Sequence, residues 1–135
     1  MEEGAGENSD LKKMIADYME GGMLENIIDM FKQDKGMYSF VADLLSDERM
    51  RVRIGVTALL ETLIHEDAEN VKKTVPQIVS LLKDENPVIR GDAANILGII
   101  GSSDVIPSLR ELSTDGNENV RIIAKESIED IQARG

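Results

Sequence analysis

Cysteine and tryptophan are absent from this 135-residue chain, which has only two Phe and two Tyr. Lack of Cys removes disulfides, thiolate metal ligands and a Cys nucleophile at once, a composition suited to a reducing compartment. Lack of aromatics leaves the core to aliphatic side chains. Positive charge is also scarce, 15 Lys and Arg against 26 Asp and Glu, for a net charge of -11. That field opposes nucleic-acid phosphates and anionic lipids, and no basic patch is visible to override it. No apolar run approaches the roughly 20 residues of a membrane span. The N-terminus, Met1-Glu2-Glu3-Gly4-Ala5-Gly6-Glu7-Asn8, is acidic and Gly-rich, the opposite of a secretory leader. These absences predict a cytoplasmic protein that binds neither nucleic acid nor membrane.

What is present is unevenly placed. Tyr18, Phe31, Tyr38, Phe40 and all seven Met lie in the first fifty residues, and from Arg51 onward there is no Phe, Tyr or Met. The length fits one domain, 10–135, behind an acidic segment 1–9 with nothing large and apolar to anchor it, which is expected to be disordered. Leu11, Met14, Ile15, Tyr18 and Met19 recur at helical spacing, with Ser9 or Asp10 as the expected cap and Gly21-Gly22 as the stop. A second helix follows from about Met23, with Leu24, Ile27, Ile28 and Phe31 inward, so that residues 10–36 form an N-terminal pair. No segment alternates at period two, and no strand is predicted.

The remainder repeats itself. Leu44-Leu45-Ser46-Asp47-Glu48-Arg49-Met50-Arg51-Val52-Arg53 returns as Leu81-Leu82-Lys83-Asp84-Glu85-Asn86-Pro87-Val88-Ile89-Arg90, 37 residues on, and a third time at Leu112 to Arg121, 31 further. Each copy places an Asp six positions before an Arg, and a β-branched residue just ahead of the Arg. The stripe Val52, Val56, Leu59, Leu60 and Leu63 matches Ile89, Ala93, Ile96, Leu97 and Ile100 and then Val120, Ala124, Ser127, Ile128 and Ile131. A preceding helix accompanies each copy, so the unit is a helix pair, at 37–65, 67–101 and 103–133. Asn86-Pro87 and Asn117 read as helix starts, and Gly101 as a left-handed stop.

The run Leu97-Gly98-Ile99-Ile100-Gly101-Ser102-Ser103-Asp104-Val105-Ile106-Pro107-Ser108-Leu109, between two Asp-to-Arg turns and with Pro76 matching Pro107, resembles HEAT-like repeats of the phycobilisome-lyase type. The resemblance covers about residues 37 to 133. It implies an all-α solenoid, an α-α superhelix of about eight helices, with Asp47, Arg53, Asp84, Arg90, Asp115 and Arg121 as an inter-repeat ladder. The first repeat departs from the pattern, with Arg49-Met50 in place of a cap and Pro, and Ser39 in place of Pro.

Catalytic and metal chemistry find little support. His65-Glu66-Asp67-Ala68-Glu69 begins like a zinc protease motif but has no second His, and Glu61 is an ordinary helical partner for His65. No Ser has a base nearby in sequence, and neither Gly21-Gly22 nor Gly98-x-x-Gly101 is a phosphate cradle. No enzyme activity, cofactor or metal is expected. In a solenoid the second helices line one face. Ile54, Ala58, Glu61, Asp92, Asn95, Ile99, Ile122, Glu126 and Glu129 stand outside the core stripe there, small and apolar at one end and acidic at the other. The expected function is a protein-binding scaffold or adaptor whose partner, a protein or peptide, carries basic residues at one end. A bilin lyase or its accessory subunit is the alternative that the resemblance raises, and a nucleic-acid-binding helical repeat is the other. The Met-rich N-terminal pair is either a cap or a docking surface.

Overall fold

The computed structural model describes residues 2–135, with side chains from residue 8. Helix α1 (Glu2–Glu20) and α2 (Leu24–Gln33) form the N-terminal pair. A 3₁₀ turn, Lys35–Phe40, leads into α3 (Val41–Leu45), which pairs with α4 (Met50–Glu66). The second repeat has α5 (Ala68–Lys73) and α6 (Val75–Ser80) as a broken first arm and α7 (Pro87–Ile100) as its second. The third has α8 (Ile106–Arg110) and α9 (Glu118–Arg134). Counting α5 and α6 as one arm, eight helical arms stack in sequence, with no strand among the described residues.

Disorder expected over 1–9 is replaced by helix over 2–9, and Met1 lies outside the described residues. Glu and Ala are good helix formers, and α1 packs on α4. At the other end, Gly22 adopts φ +81°, the left-handed stop that only Gly takes freely. Tyr18, on the apolar spacing of α1, is 37% exposed.

The apolar stripes converge on one continuous core. Val52, Val56, Leu59, Leu60 and Leu63 are fully buried, as are Ala93, Ile96, Leu97 and Leu109. Asn86 and Asn117 cap α7 and α9 by accepting from the amides of Val88 (2.9 Å) and Val120 (3.1 Å), whereas Arg49 gives α4 no side-chain cap. Gly101 differs from expectation: its backbone is extended, φ -82° and ψ 168°. A Cβ there would meet the Leu97 carbonyl at 2.5 Å and Val105 Cγ2 at 2.8 Å. Close approach, not handedness, demands glycine. The carbonyls left at this helix end are taken by Arg134 of α9, whose Nη1 donates to Gly98 O (2.6 Å) and Nη2 to Gly101 O (2.7 Å).

Glycines also set how closely the second helices pack. The α7–α9 contact is the most extensive in the chain, and a Cβ on Gly98 would stand 2.7 Å from Ser127 Cβ. On α4, Gly55 receives the Met19 side chain of α1, so α1 stacks on α4 much as a further repeat would. Phe31 meets Tyr38 edge to face at 5.0 Å, joining the N-terminal pair to the first repeat.

Candidate functional site

The repeated turn is built from two side chains. In every copy the Asp carboxylate closes the turn by accepting the amide two residues on: Asp47 from Arg49 (2.8 Å), Asp84 from Asn86 (2.8 Å), Asp115 from Asn117 (2.9 Å). Six residues later the Arg reaches back to the carbonyl of that same Asp, Arg53 to Asp47 (2.8 Å), Arg90 to Asp84 (2.9 Å) and Arg121 to Asp115 (2.5 Å). Between repeats the residues behave differently from one another. Arg90 grips Asp115 with Nε (2.8 Å) and Nη2 (2.9 Å), a bidentate pair that holds the Asp115 carboxyl below the usual carboxylate range, helped by the Asn117 amide. Arg53 donates from Nε to Asp92 (2.9 Å), not to Asp84, at the junction that α5 lengthens. Arg121 meets no carboxylate within ion-pair distance among the described residues.

A further junction has no counterpart in the expected ladder. Arg49 binds its own Asp47 and reaches Asp17 and Glu20 of α1, both at 2.9 Å. These bonds hold the Asp47 and Asp17 carboxyls below the usual range. Its signal in the sequence was the missing cap at Arg49. Between the first and second repeats, Asp67 collects Lys35 and the Tyr38 hydroxyl, each at 2.9 Å, and Asn70 (3.0 Å). With Lys35 as the largest cause, Asp67 falls to about 2, while burial and the adjacent carboxylate push Tyr38 up. Four contacts of this kind join residues about thirty apart, beyond the reach of local pattern.

Eight of the nine surface residues singled out from the sequence divide among three depressions. Ile54, Ala58, Glu61, Asp92 and Asn95 gather with Arg53 and Thr57 in a shallow groove between α4 and α7. Ile99 faces a second groove of about 700 Å³ at the far ends of α4, α7 and α9, together with Glu61, His65, Lys72 and Arg134. Ile122 and Glu129 belong to a third, at the outer end of the stack between α8 and α9. Glu126 is exposed on α9 and lines none of these grooves. Asp92 is not a free anion, since Arg53 holds it. His65 is exposed and makes no ion pair with Glu61 among the described residues; Glu66 pairs instead with Lys32 of α2.

Among the described residues no His, Asp and Glu cluster in threes where a metal could sit, and no helix is long and apolar enough to cross a membrane. What the surface offers is shallow and mixed in polarity. The groove between α4 and α7 has an exposed Ile54, with Ala58 and Glu61 also lining it.

A family model described as HEAT repeats matches residues 38–129, more than half of the chain. No curated protein and no solved structure matches. The match is to HEAT repeats at large and does not single out the phycobilisome-lyase subtype that the run Leu97–Leu109 resembles. HEAT repeats commonly mediate protein–protein interaction and generally act as non-enzymatic scaffolds. With α3 to α8 and most of α9 inside the matched span, this chain belongs to the HEAT repeat family.

Proposed function

We propose that the protein is a non-enzymatic adaptor that binds another protein or peptide along the surface of α4, α7 and α9. The groove between α4 and α7 carries this reading. Ile54 is 59% exposed on a helix whose other stripe is fully buried, which leaves its apolar side chain available to a partner. Ala58 and Asn95 leave room beside it, and Glu61 supplies an anion at the rim. Asp92 contributes less charge than its position suggests, because Arg53 neutralises it, so the basic residue of a partner is directed to Glu61 and, further along, to Glu126 and Glu129.

Co-purification of the tagged protein from its native cells, followed by mass spectrometry, tests the reading. Ile54→Asp should abolish recovery of the specific partner while leaving the circular dichroism of the protein unchanged. Reversal of Glu61, Glu126 and Glu129 to Lys should weaken recovery of the same partner. An unaltered set of co-purified proteins from both variants would overturn the proposal.

A further inference from the structure

Arg121 holds in the third repeat the position that Arg53 and Arg90 hold in the first and second. Each of those two aims Nε at a carboxylate of the repeat that follows. Arg121 uses Nη1 on the Asp115 carbonyl, and its Nε and Nη2 find no acceptor among the described residues. Among the described residues this rung of the ladder is unfilled.

The surroundings of that rung combine apolar and cationic side chains. A groove of about 550 Å³ runs between α8 and α9, lined by Leu109, Arg110, Ile122, Lys125 and Ile128 along with Arg121. Ile122 is 48% exposed there. Arg121 and Lys125 stand four apart on α9, a like-charge spacing that slightly disfavours a helix unless an anion answers it. Neither they nor Arg110 forms an ion pair among the described residues, and Glu129 on the same rim pairs with none of them.

We infer that this end groove docks a helix of another protein that carries one carboxylate among apolar side chains, the carboxylate taking on Arg121 the place that Asp115 takes on Arg90. The carboxylate must be isolated. A run of acidic residues would meet the repulsion of a chain at -11, whereas a single group at hydrogen-bond distance gains charge-assisted bonds from the guanidinium. Further copies of this chain bring the same net charge, which opposes self-association through the groove.

The probe is a synthetic Leu- and Ala-rich helical peptide with a single central Asp, compared with the same peptide carrying Asn. Titrated into the full chain and followed by NMR, the Asp peptide should shift the Arg121 Nε–H and the methyl groups of Ile122 and Ile128, and the Asn peptide should bind about tenfold more weakly. Arg121→Gln should erase the difference between the two peptides. Ile122→Ser, at an exposed position, should weaken both peptides without moving the thermal melt. Equal affinity of the two peptides, or shifts confined to the α4 and α7 groove, would overturn the inference. Sedimentation showing a dimer that Ile122→Ser dissolves would also overturn it, assigning the groove to a second copy. None of these outcomes depends on the groove between α4 and α7.

Discussion

At each interhelix turn the repeated Asp does two things with different atoms. Its carboxylate closes the turn on the amide two residues ahead, and its carbonyl receives the Arg six residues ahead. The six-residue spacing therefore reports a bond to the backbone within a repeat, while the links between repeats are made by whichever carboxylate lies opposite the free edge of the guanidinium. That explains why the two rungs are unequal. Arg90 holds Asp115 bidentately, with the Asp side chain only 9% exposed, whereas Arg53 makes one bond to Asp92, whose side chain is 37% exposed. Removing one partner of a part-buried pair leaves the other unanswered, and the loss grows with burial. Arg90→Ala is expected to destabilise by about 2 to 3 kcal/mol and Arg53→Ala by about 1 kcal/mol less, read as midpoint shifts in urea at unchanged slope. Equal losses would mean that the turn carbonyls, which both arginines serve alike, set the whole effect.

At the scale of elements, helix periods and caps were legible because they are local. Asn86, Asn117 and the buried stripe of α4 could be read from neighbours a few positions away, and the structure places them where the spacing puts them. Contacts that close over long separations were not legible. Arg134 on the Gly98 and Gly101 carbonyls, Arg49 on α1, and Tyr38 on Asp67 join residues 29 to 36 apart, and no periodicity announces them. The candidate surface shows the same limit: spacing proposes outward positions, but whether a carboxylate there is already paired, as Asp92 is, depends on the next helix. Gly101 was misread because a glycine at a helix end has two explanations, handedness and closeness, and sequence does not separate them. Gly98 is the clearer case of closeness. Its α-hydrogen faces Ser127 across the most extensive helix contact, and a methyl there would collide with Cβ and Cα of that serine, neither able to rotate away. Gly98→Ala should therefore destabilise by about 1 to 3 kcal/mol by forcing α7 and α9 apart, despite the better helix propensity of Ala. Adding Ser127→Gly should recover most of the loss, and a thermal melt of the double variant checks it. No recovery would show that some contact other than Ser127 fixes the spacing.

Across the whole molecule, each repeat touches chiefly its neighbours, so stability should be a sum of unit terms and junction terms rather than one indivisible quantity. The junctions differ in kind. Met19 on Gly55 and the Arg49 bonds join α1 to the first repeat, Arg53 and Asp92 join the first repeat to the second, and the Arg90 pair with the Gly98 contact joins the second to the third. Breaking one junction should free the shorter end of the stack before the longer. In Arg90→Ala, native-state hydrogen exchange is expected to show protection of the α9 core amides falling by about tenfold or more, since each 1.4 kcal/mol is a factor of ten, while the α4 core amides change much less because α1 and α7 still flank that helix. A uniform fall along α4, α7 and α9 would instead describe a single cooperative unit, in which the third repeat never opens without the rest, and the unfilled rung at Arg121 would then sit on a surface as rigid as the core behind it.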